Sequence, residues 1–266
     1  MSYEFIVLER DGGVGVITMN RPRVLNALNR AMYREIDAAV SELEGDDDIG
    51  AIVVTGAGER AFSAGADIHE MARIAEETGS QDGDPDRARH MWHLATCAKP
   101  TIGAINGLAY GGGAVIAASM DIRVGSDNAS FRFLAAAYGR VNSTWNLPMQ
   151  VGWPKAKELL FTGRVVKARE AVEIGLLNHL VAPDLLMPKA MEIARAIAAN
   201  DTRIVKGIKE LMIRDVGVSW QEMQANELEA QADALKPPPV REGLEEILRR
   251  KGRGVHRRGR GGTPSP

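Results

Sequence analysis

The sequence predicts a mixed α/β protein built from ββα units, with parallel strands and a helical C-terminal region. Three observations carry this. Short apolar runs of strand length recur at 5–8, 15–19, 51–54, 101–106, 121–124 and 178–181. Helix-period segments lie between them, and three amphipathic runs follow Pro183.

Taken in order, Phe5-Ile6-Val7-Leu8 and Gly15-Val16-Ile17-Thr18-Met19 read as two strands joined at Asp11-Gly12-Gly13, a hairpin turn. Apolar residues from Leu28 to Leu43 keep helical spacing, with Asn29 as N-cap, and the buried-strand run Ala51-Ile52-Val53-Val54 follows. Residues 77–87, ETGSQDGDPDR, break the periodicity with Gly, Pro and acidic residues, so a surface connector is expected there, with a closing lid as the other reading. The helical runs after Pro183 span 184–199, 202–214 and 219–235. This divides the chain into a core over 1–182, a helical region over 183–251 and a basic, low-complexity tail over 252–266.

Composition narrows the function classes. A 266-residue chain with 45% hydrophobic and 26% charged residues and a net charge of −2 can bury one large core and offers no broad polyanion-binding face. Seven Lys or Arg residues fall between Arg249 and Arg260, but no aromatic in that tail provides a stacking platform, so it reads as solvated and nucleic acid is not expected as a partner. The only cysteine, Cys97, can form no internal disulfide, which suits a reducing compartment. The start MSYEFIVLERDGG is acidic and lacks an apolar core segment, and no run of 18 apolar residues occurs. A cytoplasmic protein without a membrane span is therefore the expectation.

Two glycine-anchored loops hold the chemistry. AFSAGADI at 61–68 and INGLAYGGGAVIAASMDIR at 105–123 can each aim a backbone N–H at one small volume, because glycine permits close approach and a helix start leaves unpaired donors. Two such donors form an oxyanion hole, a device for negative charge developing on a thioester or ester carbonyl oxygen.

These blocks, with MNRPRVLNALN at 19–29, KPTIGAINGLAYGGG at 99–113, SMDIRV at 119–124 and ELLFTGRVVKAREAVEIGLLNHLV at 158–181, resemble the crotonase superfamily, the enoyl-CoA hydratase and isomerase group, from about Tyr3 to about Lys251. The resemblance implies a crotonase-like spiral of ββα units with a helical C-terminal trimerisation region, assembled as a homotrimer or a dimer of trimers. It also implies an acyl-CoA substrate in fatty acid metabolism, with CoA entering only as part of that substrate and no separate cofactor. By motif position the oxyanion amides belong to Ala66 and Gly112. Ala64, Asp67 and Ile68 lie along the substrate, Arg23 lies near the CoA phosphates, and Arg250 is a basic residue supplied to a neighbouring subunit.

The departures from that pattern are as informative. Hydratases of the group carry one glutamate two residues after the glycine triplet and another on the stretch after the DIR strand; here those places are Val115 and Ala135. A turn that holds an aspartate in other members reads GRVNSTWNLP at 139–148, about three residues short and without an acid. Positioned acids and bases contribute roughly 10²–10⁴-fold, so a standard hydratase site is not complete in this chain.

Candidate replacements are few. Glu70, with His69 beside it, follows GADI directly; an acidic residue in a first helical turn is equally explained by the helix dipole. Tyr138 could donate a hydrogen bond to an enolate or pack against Phe131, Phe133 and Trp145, and Asn142 adds polarity at the shortened turn. His90 and His93 are i,i+3 neighbours without an acidic or cysteine partner at motif spacing, so no metal is expected. The functional expectation is an enzyme acting on acyl-CoA thioesters, a lyase or isomerase by resemblance. Its alternatives are a hydrolase, decarboxylase or isomerase of the same type, and an acyl-CoA-binding protein without turnover.

Overall fold

The computed structural model describes residues 3–79 and 86–237 of the 266-residue chain. It divides into two compact units, Met1–Glu210 and Leu211–Pro266. The first unit opens with the expected hairpin: β1 (Ile6–Asp11) and β2 (Val14–Met19) pair antiparallel across Gly12, which holds φ 58°. The chain continues through α1 (Arg30–Glu44), β3 (Ala51–Gly56), β4 (Ala61–Ser63), α2 (Ile68–Thr78) and α3 (Arg87–Thr96). Next come β5 (Thr101–Ile105), β6 (Leu108–Tyr110), α4 (Gly112–Ser119), β7 (Ile122–Ser126) and β8 (Ser130–Arg132). The unit ends with α5 (Leu147–Val151), α6 (Trp153–Thr162), β9 (Val166–Lys167), α7 (Ala168–Glu173), β10 (His179–Val181), α8 (Leu186–Ala198) and most of α9 (Thr202–Arg214).

Two sheets organise these elements. The larger runs β1-β2-β3-β5-β7-β10 and is parallel from β2 onward; the smaller runs β4-β6-β8-β9 and is parallel as far as β8. Three times the chain lays one strand in the large sheet and the next in the small one: β3 then β4, β5 then β6, β7 then β8. Every residue of β3 and β5 is buried, as expected of parallel strands covered on both faces. Alternation sorts their side chains. Ile52 and Val54 join the core that includes Met32, Ile36, Val40 and Leu43 of α1, while Ala51 and Val53 meet Leu186, Ala190, Met191 and Ala194 of α8.

The α8 side of that second core lies beyond Pro183 in sequence and belongs to the first compact unit. Because α8 supplies one wall of the main sheet's core, the first unit runs on to Glu210. Lys209 of α9 reinforces this: its ammonium donates to Asp121 Oδ2 at 2.7 Å, and that oxygen also takes the Thr101 amide at the start of β5. The second unit contains α10 (Trp220–Ala232), whose N-cap Ser219 forms a capping box with Glu222.

The expected connector at 77–87 is bracketed by Thr78, the end of α2, and Arg87, the start of α3; residues 80–85 lie outside the described residues, as do Arg250 and the 252–266 tail. Among the described residues, no helix is long and apolar enough to cross a membrane.

Candidate active site

The segment 19–29 is a cradle for the first glycine loop. Asn26 is fully buried with φ 54°, and its side-chain amide donates to the carbonyls of Ala57 and Ala61 while its Oδ1 accepts from the Arg21 amide. Ser63 Oγ donates to Asn26 O, and the Ala64 amide donates to Leu25 O. Farther on, Leu28 N–H bonds Gly65 O and Asp67 N–H bonds Leu28 O, a parallel bridge that pins Ala66 without using the Ala66 N–H. Leu25 shares the left-handed conformation at φ 55°. Non-glycine residues hold such backbone only where the surroundings over-determine it.

Asp67 closes this loop with its side chain. The carboxylate accepts from Arg21 at 2.9 Å and caps α2 by accepting from the amides of His69 and Glu70. Burial alone would raise its pKa, but those bonds outweigh it and hold the carboxyl below its ordinary value. Asp67 is thus committed to the loop's architecture.

The second loop arrives through Gly111, which caps α4 with φ 48° and no side-chain hydrogen bond. The two loops abut closely: a Cβ built on Gly65, itself at φ 95°, would stand 2.7 Å from Tyr110 O and 3.0 Å from Gly112 N. A Cβ on Gly112 would lie 3.6 Å from Ala66 N. Among the described residues, neither the Ala66 nor the Gly112 amide donates to a protein acceptor. Ala66 opens on a cavity lined also by Leu28, Arg30, Tyr33, Glu70, Met71, Ile74 and Arg87.

Glu70 therefore faces the same cavity as Ala66. One carboxylate oxygen accepts the Arg30 amide at 2.8 Å, stitching α2 to the start of α1. His69 and Ile68, in the same first turn of α2, are exposed. Val115 and Ala135 are each 9% exposed and do not line this cavity. Tyr138 ends a short 3₁₀ turn and is 72% exposed, whereas Phe131 and Phe133 are buried and Trp145 pairs with Trp92 at 5.6 Å between ring centres. Arg23 is exposed in the 3₁₀ turn Pro22–Val24.

The shortened turn is tied to α4. Asn146 Nδ2 donates to Ser119 Oγ, which donates to Val115 O. Within the turn, Ser143 is left-handed at φ 56°, and the oxygens Asn142 Oδ1, Ser143 Oγ and Asn146 Oδ1 are buried without a hydrogen-bond partner among the described residues. Among the described residues no group of three or more His, Cys, Asp or Glu side chains is arranged to hold a metal ion, and the two nitrogens of His93 face Asp37 and Glu44 in hydrogen bonds. Tyr33 is a member of the cavity wall that nothing in its local sequence singles out, since MYREI on a helix reads as a core aromatic.

This architecture and sequence have close counterparts. The short-chain-enoyl-CoA hydratase of Clostridium acetobutylicum is 37% identical over 94% of this chain and 97% of its own, and the crotonyl-CoA hydratase of Syntrophomonas wolfei is 31% identical over the same shares. The structure of enoyl-CoA hydratase subunit I from Geobacillus kaustophilus superposes with a TM-score of 0.82 at 33% identity, covering 93% of this chain and 96% of that one. Enoyl-CoA hydratase from Bacillus anthracis gives 0.83 at 29%, covering 93% and 97%. The mixed α/β crotonase fold is shared with both. The profile of the enoyl-CoA hydratase/isomerase family matches residues 9–252, and with these relatives it establishes that the chain belongs to that family.

Proposed function

We propose that the protein acts on an acyl-CoA thioester, polarising its carbonyl between the amides of Ala66 and Gly112 and using Glu70 as its single acid–base group. The observation that carries this reading is the abutment of the two loops: among the described residues neither N–H donates to a protein acceptor, and Ala66 opens on the cavity that Glu70 also lines. Two fixed donors at a developing oxyanion are worth far more in a water-poor site than in solution, because no reorganisation is needed when charge appears.

Water addition across a double bond needs a base for the water and an acid for the α-carbon, and Val115 and Ala135 supply neither. A proton shift needs only one carboxylate. Glu70 takes a proton from the α-carbon of a β,γ-enoyl thioester, the electron pair moves onto the thioester oxygen, and the proton returns at the γ-carbon as the double bond shifts into conjugation. Isomerisation is therefore favoured over hydration, with the family's hydrolase and decarboxylase chemistries sharing the same oxyanion requirement.

Incubation with enoyl-, β-keto- and malonyl-type CoA thioesters, read by mass spectrometry, tests the reaction. Crotonyl-CoA hydration should fall far below about 10 s⁻¹, the usual enzyme median. Glu70→Gln keeps an oxygen for the Arg30 amide and should lower turnover about 10²–10⁴-fold while thioester binding persists. Rapid hydration, or unchanged turnover in that variant, overturns the assignment of Glu70.

A further inference from the structure

We propose that the Tyr33 hydroxyl is a third hydrogen-bond donor to the thioester oxygen, completing the site formed by the Ala66 and Gly112 amides. The proposal rests on the two-amide reading above and goes beyond it by naming a side chain that touches the reacting oxygen. Its basis is a single point in space. The position where a side chain at Gly112 would begin lies 2.8 Å from Tyr33 Oη and 3.6 Å from Ala66 N. The phenol thus covers Gly112 on the side that faces Ala66.

Tyr33 is also held where such a donor must be. It is the fourth residue of α1 and only 5% exposed, and its ring belongs to the buried core around Leu28, Met32 and Ile36. The start of α1 is fixed twice, by Asn29 Oδ1 accepting the Met32 amide at 2.8 Å and by Glu70 accepting the Arg30 amide. A donor on a rigid, capped helix keeps its aim better than one on a loop. The phenol lines the same cavity as Ala66 and Glu70, so a donor for the oxygen and a carboxylate for the carbon frame one bound thioester. No proton leaves Tyr33: its O–H strengthens its bond to the oxygen as charge accumulates there, and the charge returns to carbon when Glu70 gives its proton back.

This role accounts for a glycine. A Cβ at position 112 would press on the hydroxyl at 2.8 Å and on Leu28 Cδ1 at 3.1 Å, so Gly112 and Tyr33 fit only together. It also places a phenol at the oxyanion with Tyr138 standing 72% exposed elsewhere.

The test reads the carbonyl directly. Infrared difference spectra of butyryl-CoA labelled with ¹³C at the carbonyl, bound to the intact protein, should show its stretch lowered relative to free ligand. Tyr33→Phe should reverse part of that shift and, on any substrate the panel reveals, lower kcat about 10²–10³-fold with KM little changed. Replacing Tyr33 by 3-fluorotyrosine, a more acidic donor of nearly the same size, should deepen the shift; it also serves if circular dichroism shows Tyr33→Phe to be misfolded. A folded Tyr33→Phe with the wild-type shift, or no response to fluorination, overturns the role of Tyr33 and leaves the two amides standing. An unshifted carbonyl in the wild-type protein overturns the two-amide reading itself, and the third donor with it.

Discussion

Asp67 shows how one residue can look like a ligand contact and act as a fastener. Its carboxylate joins Arg21, the α2 cap and the amide of Glu70, so it sets the direction of the helix that carries the proposed acid–base group. Asp67→Asn retains a good cap but loses the charge that Arg21 meets at 2.9 Å, and about 1–3 kcal/mol of stability should go with it. The pH dependence separates charge from shape. Because the folded-state pKa of Asp67 is depressed, its contribution is full above the unfolded value of about 3.9 and disappears as pH falls through the lower folded value. Thermal unfolding should show the variant's deficit at pH 7 and its loss in strong acid; a deficit that persists there would assign the effect to packing.

At the scale of elements, α3 is fastened to α1 by a histidine. His93 bonds Asp37 at 2.7 Å and Glu44 at 3.2 Å, and Glu44 also accepts the Ala98 amide that leads into β5. Burial favours the neutral imidazole, yet the two carboxylates prevail and the His93 pKa is raised. A raised folded-state pKa means that the stabilisation is complete below the unfolded value of about 6.5 and fades as pH rises through the folded one. His93→Gln should therefore lower the unfolding temperature more at pH 6 than at pH 9. Equal losses at both pH values would remove the charge from the explanation. This clamp also marks the limit of sequence reading. The hairpin, the buried strands, α1 and the ranges of α8 to α10 were legible because each follows from a local period or turn residue. Position in a motif likewise singled out Ala66 and Gly112, the two amides proposed for the oxyanion. His93 with Asp37, Glu70 with Arg30, and Tyr33 with Gly112 were not legible: each joins residues 40 or more apart in sequence, or apposes a helix face to a loop. The packing of α8 on the main sheet was not legible either, because an amphipathic helix reads alike whether it covers its own sheet or a partner.

For the whole molecule, α10 raises the question of what it covers. Helices of this length are marginal in water unless a face is buried, yet none of α10's residues is buried in the single chain. Trp220 is 88% exposed and Leu228 59%, and Met212 of α9, in the same unit, is 72% exposed. Large apolar side chains left exposed in one unit suit an interaction surface, and a second copy of this chain is the partner we propose for it, in line with the trimeric assembly expected from the sequence resemblance. Sedimentation velocity should accordingly find a trimer or a dimer of trimers. Trp220→Ala with Leu228→Ala should shift that population toward monomer and reduce the helical signal of α10, while the main sheet, whose core draws on α1 and α8, keeps its cooperative unfolding. A monomeric wild-type protein would refute the assembly. Oligomers unchanged by the double substitution would locate the contact elsewhere on the chain.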